Sequence, residues 1–328
     1  MYIVNSYTLA IIFCFITMIC WGSWGNTQKL AAKTWRYELF YWDYVIGIVL
    51  FSLIWGLTLG STGEAGRGFI QDLLQVSPEN FWSAFLGGVI FNASNILLSA
   101  SMSLAGMSVA FPIGVGLALV LGVFVNYFSV PKGDPVILFL GVFLIGIASG
   151  KVSKVSGQST RKKGILVAVC AGILMAFFYR FVAAAMDLEN LEAPTAGMMP
   201  PYSALFVFAI GIFISNFLFN SLLMRKPFTG VPVAYSQYFK GNFNTHLVGV
   251  LGGIIWALGT ACSYIAAGKA GAAISYALGQ GATMVAALWG LFIWKEFKGA
   301  SKSTNLLLTL MLILFISGLV LIIVSGGS

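Results

Sequence analysis

Apolar runs of about twenty residues follow one another along this chain, and a helix of that length crosses a bilayer core of about 30 Å. Ten such runs occur, at 8–29, 36–60, 82–104, 107–129, 135–152, 164–185, 201–223, 247–267, 271–294 and 304–325. In hydrocarbon every backbone N–H and C=O needs an internal partner, which leaves helices or closed barrels. Barrel strands are about half as long and alternate in polarity, and Leu306 to Val324 does not alternate. The expected fold is an all-α polytopic membrane protein of ten transmembrane helices. With 59% of 328 residues hydrophobic and 9% charged, water is not its main solvent.

Residues 1–7 carry no Lys or Arg, and no small-residue cleavage pattern follows the first run, so that helix is expected to remain in place. Cys14, Cys20, Cys170 and Cys262 fall inside spans without CxxC spacing or His and acidic neighbours. They are read as packing residues, and no metal is expected.

A net charge of +8 raises the question of nucleic acid. The positions of the charges answer it. Fourteen Lys and Arg follow spans 1, 3, 5, 7 and 9 (Lys29, Lys33 and Arg36 among them), against Arg67, Lys132 and Lys269 in the other loops. Membrane insertion leaves positive charge in the cytoplasm, so both termini are expected outside, in an inner (plasma) membrane, with no nucleic-acid partner.

Shifting the chain by 165 residues lays Leu86-Gly87-Gly88-Val89-Ile90 on Leu251-Gly252-Gly253-Ile254-Ile255. Ala105-Gly106 then falls on Ala270-Gly271, and Gly114-x-Gly116 on Gly279-x-Gly281. The spacing predicts two five-helix repeats, 1–155 and 164–328, joined by a basic cytoplasmic linker at 156–163. Five crossings per half make the repeats inverted, the arrangement of transporters that alternate access to a central site. Neither GxG continues into GxxxxGK[ST], so these glycines are read as helix-packing residues. No ATP and no other cofactor is expected.

Charged groups in hydrocarbon are expensive and default to functional readings. Asp43 stands inside the second span and Glu38 at its start, and either is a candidate to carry a coupling proton. Their alternative reading is pairing with Lys29, Lys33 or Arg36. Arg180 lies about 24 Å up its helix and Asp43 about 10 Å up its own, which argues against their pairing. Arg180 is read as a gate or substrate residue, or as a snorkelling interfacial arginine. Near the midplane, Asn92, Asn95, Trp256 and Gln280 can bind hydroxyls or ureas, or hold helices together. Trp21, Trp24 and Asn26 close the first span and can line a pathway, with an interfacial aromatic belt as the alternative. His246, the single histidine, is expected to be incidental, Pro112 to kink its helix and Pro232 to constrain a loop.

Trp21-Gly22-Ser23, Tyr41-Trp42-Asp43-Tyr44, Leu57-Thr58-Leu59-Gly60, Gly106-Met107-Ser108-Val109, Asn126-Tyr127-Phe128 and Trp294-Lys295-Glu296-Phe297 stand in an order that looks familiar. On these residues the chain resembles the drug/metabolite transporter superfamily, in its branch of bacterial sugar porters and plant ureide permeases. The resemblance implies ten helices in inverted repeats, a central site, and commonly proton-coupled uptake of sugars, ureides or nucleobases. The plant permeases have a longer central segment, and a small-residue and proline pattern where this chain has Gly22-Ser23-Trp24-Gly25.

The expected function is secondary transport, a proton-linked importer of a small neutral polar solute with a monosaccharide first. Ureides, nucleobases or nucleosides are the alternative, and an exporter of the same superfamily is another. No paired catalytic acids, HExxH or nucleophile–base set occurs in the spans, so an enzyme is not expected. The expected partners are the solute, protons and lipid; the oligomeric state is not readable.

Overall fold

The computed structural model describes residues 1–32, 35–63, 65–129, 131–153, 159–295 and 302–327. Among them the regular structure is helical, with one isolated bridge between Met186 and Met199. The helices are α1 (Tyr7–Ser23), α2 (Gly25–Ala31), α3 (Tyr37–Leu57), α4 (Phe69–Gln75), α5 (Pro78–Ala105), α6 (Met107–Ser129) and α7 (Pro135–Ser153). There follow α8 (Ser159–Ala185), α9 (Pro201–Arg225), α10 (Tyr235–Tyr238), α11 (Phe243–Ala270), α12 (Ala272–Gln280), α13 (Ala282–Leu288) and α14 (Lys302–Gly327). A π-helical turn, Trp289–Ile293, continues α13.

Among the described residues nine helical stretches are long and apolar enough to cross a membrane, counting α1 with α2 and α12 with α13. The remaining expected span is α7, whose apolar part is Pro135–Ala148. Side chains such as Phe143, Phe217 and Ile316 stand more than half exposed on the outside, as lipid contact requires. Of the expected linker, 159–163 is the first turn and more of α8, while Lys154 and 156–158 lie outside the described residues, as does Lys33. Pro112 lies inside the continuous α6.

The first and ninth spans are each broken, where the sequence predicts unbroken runs. At Trp24 the ladder tightens through Thr27 N–H to Trp24 O (3.0 Å), and at Gly281 through Gly281 N–H to Leu278 O (3.0 Å). Such i→i−3 turns bend a helix and free backbone and side chains on the bent face. Two short helices, α4 and α10, are too brief to leave a hydrophobic period and were not expected.

Two helices whose residues stand 165 apart share local features. Helices α5 and α11 are both 28 residues long, capped by Ser77 and Asn242, whose side chains accept from Asn80 N–H and Thr245 N–H. Each passes to the next helix through one glycine, Gly106 at φ 86° and Gly271 at φ 85°, a backbone open to glycine at no steric cost. Close crossings match as well. A Cβ on Gly88 would overlap the carbonyl oxygen of Phe208 on α9, and one on Gly253 that of Tyr44 on α3. Bare glycine lets these backbones meet, as in small-residue membrane interfaces.

The two ends of the bundle are strapped differently. At one, the basic end, Arg36 reaches the carbonyls of Thr229 and Val231, Lys163 that of Phe228 (2.7 Å), and Lys29 lies 4.5 Å over the Trp294 ring. At the opposite end Arg67 donates to the carbonyls of Pro194, Thr195 and Met198, Tyr2 N–H to Leu59 O, and Asp134 N–H to Ser325 O. Residues near the two chain ends meet where the Tyr7 hydroxyl donates to Ile323 O (2.7 Å).

Candidate functional site

Both broken spans turn against the same space. Around it stand six aromatic rings, those of Trp21, Trp24, Phe91, Phe111, Phe178 and Trp256. Its polar lining is Asn95 from α5 and Gln280 from α12. The indoles of Trp21 and Trp256 are near parallel, 9° apart with centroids at 6.1 Å, and Phe91 lies 4.2 Å from Trp256. Trp21 Nε1 donates to Thr260 Oγ1 at 3.0 Å, which fixes the ring. Asn95 Nδ2 faces the hydroxyls of Tyr41 (3.3 Å) and Tyr44 (3.2 Å), leaving its oxygen available as an acceptor.

The cavity has a free volume of about 20 Å³. One water needs about 10–15 Å³ of such space, so the conformation is closed around its centre. A solute enters only if rings move.

Five of the ten residues singled out from the sequence meet here: Trp21, Trp24, Asn95, Trp256 and Gln280. Trp24 is 1% exposed, which removes it from an interfacial belt. The other five lie elsewhere. Asn92 Nδ2 donates to Ser215 Oγ (2.9 Å) and packs α5 on α9. Asn26 accepts from Trp294 Nε1 (2.6 Å) and donates to Ser23 O (2.8 Å), tying the basic end. Arg180 is exposed, lining a separate chamber of about 490 Å³ with Asn126 and Ser129. The residues missed from sequence, Phe91, Phe111 and Phe178, are ordinary apolar positions whose facing only helix packing decides.

Glu38 and Asp43 are both buried on α3, away from the central cavity. Glu38 forms an ion pair with Arg36 at 2.6 Å, a fixed cation. Asp43 instead has His246 Nδ1 at 2.8 Å, the Tyr238 hydroxyl at 2.6 Å and Trp35 Nε1 at 3.2 Å. His246 is thus not incidental: α11 carries it to α3 at the crossing beside Gly249, a proximity across 203 residues that no sequence window holds. Burial, and then the Asp43 carboxylate, push the Tyr238 phenol up, so it remains a donor.

At the opposite end Asp72 on α4 takes the Ser203 hydroxyl and pairs with Arg67 Nε at 2.9 Å. Burial pushes its carboxyl up, against the bonds from Ser203, Arg67 and Gln75. Asp187 goes the other way: burial raises it, but bonds from Thr195 and Asn190 outweigh that and hold its carboxyl below the usual range.

A helical bundle of membrane-crossing length around a closed, charge-free central cavity with two broken helices defines a polytopic transporter of small solutes. The family model for ureide permeases matches residues 40–163 and 141–325. The chain belongs to the ureide permease family. Ureide permease 1 of Arabidopsis thaliana is 23% identical over 100% of this chain and 99% of its own length, and ureide permease 2 is 24% identical over the same shares. Glucose uptake protein GlcU of Bacillus subtilis (strain 168) is 26% identical over 70% of this chain and 74% of its own. One solved crystal structure covers 95% of this chain and 97% of its own with TM-score 0.62; at 16% identity that is a likeness of fold.

Proposed function

We propose that this protein is a proton-coupled importer of a small, neutral, planar amide of the ureide or nucleobase kind, residing in the inner (plasma) membrane. One observation carries the solute class: six aromatic rings and two amides form the wall of the central cavity. Flat rings gain from a flat solute, and Asn95 and Gln280 offer both donors and acceptors to a cyclic amide. A monosaccharide presents several hydroxyls, each needing a partner when desolvated, and two amides supply too few. The names of the Arabidopsis relatives support the same class.

The architecture behind this reading is ten helices in two inverted repeats, with the basic end in the cytoplasm and both termini outside. The matched lengths, caps and glycine crossings at an offset of 165 support the repeat. Asp43 is the coupling carboxylate, because its partners His246, Tyr238 and Trp35 include no permanent cation, whereas Glu38 is ion-paired with Arg36.

Uptake of monosaccharide is the second reading, supported by the similarity to a glucose uptake protein. Proteoliposomes under an imposed pH gradient, offered labelled allantoin, uracil, ribose and glucose, separate the two. Accumulation of allantoin or uracil above the sugars is expected. Accumulation of sugar alone would replace the first reading by the second, and uptake indifferent to the gradient would remove proton coupling.

A further inference from the structure

Three chambers lie in the same order along several helices. On α6, Met107 lines a chamber of about 180 Å³ at the basic end, Phe111 and Val115 line the central cavity, and Val125 and Asn126 line the chamber of about 490 Å³ toward the opposite end. On α12 the sequence runs back from Gln280 at the centre to Ala272 in the large chamber. The first span agrees at the basic end, with Trp24 on the central cavity and Gly25, Gln28 and Lys29 on the smaller chamber.

Between the centre and the large chamber stands Tyr276. The single proton of its hydroxyl is shared between two backbone carbonyls on different helices, Ala118 on α6 and Met175 on α8, each at 3.2 Å. Its ring fills the hollow left by Gly122. One turn further along α12 is Gln280, which lines the central cavity. Between the centre and the basic-end chamber stands Phe111, against Trp24 (centroids 6.3 Å) and over Gly25, whose Cβ would lie 3.4 Å from the ring. The offset of 165 residues maps Phe111 on Tyr276. The two seals are the same position of the two halves.

We infer that Tyr276 and Phe111 are the paired gates of the solute path, and that they decide to which face the central site opens. They are not equivalent. Tyr276 is pinned to two neighbouring helices by hydrogen bonds, while Phe111 is held by ring contact alone, so the path opens more readily toward the basic end. The proposal rests on the transporter reading, but the following test uses no solute, so its failure is separate from a failure of the uptake assay.

Val115→Cys, in a chain whose four cysteines are replaced by alanine, places a thiol on the wall of the closed cavity. Its labelling by a membrane-impermeant maleimide is followed in proteoliposomes from each face. Tyr276→Phe, which keeps the ring and removes both hydrogen bonds, is expected to speed labelling on the order of tenfold from the opposite-end face and not from the basic face. Phe111→Leu and Phe111→Ala are expected to do the reverse. Variants that leave both rates unchanged, or that speed labelling from the wrong face, overturn the assignment. Monodisperse elution of each variant establishes that an unchanged rate belongs to folded protein, and Phe111→Leu serves if the alanine variant fails that check.

Discussion

His246 Nδ1 lies 2.8 Å from Asp43 Oδ1, a bond between α11 and α3 at the basic end, with the Tyr238 hydroxyl at 2.6 Å on the same oxygen. One carboxylate atom thereby joins two long helices and the loop helix α10. Adding a proton to that carboxylate removes its charge and turns one of its two oxygens into a donor, which weakens the hold on all three.

If this is where solute movement meets the proton, Asp43→Asn leaves a permanently protonated mimic. Gradient-driven accumulation should fall on the order of tenfold or more, within the usual coupling free energy of about 1–3 kcal/mol. Solute exchange at equal pH on both sides should persist. Concentrative uptake by Asp43→Asn with its gradient dependence intact would refute the coupling role.

The central amides should act on affinity. Gln280→Leu and Asn95→Leu each remove one polar partner from an aromatic cavity, a loss of about 1–2 kcal/mol, or roughly 5–30-fold in apparent affinity. Arg180→Gln, in the separate chamber, should leave binding at the central site near wild type. Titration of the purified protein with uracil or allantoin, read through tryptophan fluorescence, measures all three.

Glycine at the two matched crossings should be a packing requirement and not a kinetic one. Gly253→Ala presses a methyl on the carbonyl of Tyr44, and Gly88→Ala on that of Phe208. Overpacking of this kind costs about 1–3 kcal/mol, so both should lower the thermal midpoint in detergent by several degrees. A pair of midpoints equal to wild type would mean that the helices move apart freely.

Asp187 gives the pH dependence of the opposite-end loop. Its carboxyl is held below its ordinary value, so the stability it contributes is present above the unfolded-state pKa of about 3.9 and is lost as pH falls through the lower folded value. The thermal midpoint should fall on acidification below about pH 4 in the native chain, and the fall attributable to this group should vanish in Asp187→Asn. That variant should also start lower at pH 7 by a few degrees, having lost acceptors for Thr195 and Asn190.

Span positions and the all-helical class were legible because each is a one-dimensional property: hydrocarbon thickness sets run length, and a backbone without internal partners cannot stay in it. Trp21, Trp24, Asn95, Trp256 and Gln280 were legible because polar or amphipathic groups stand out in an apolar run. Phe91, Phe111 and Phe178 were not, since every face of a membrane helix is apolar and composition does not distinguish lipid from cavity. The partner of Asp43 was hidden for a different reason. Electrostatic pairing acts over a few ångströms in space, and His246 comes within reach only when α11 crosses α3 at Gly249, so the sequence by itself determined that a buried carboxylate would exist and the tertiary structure alone decided what it holds.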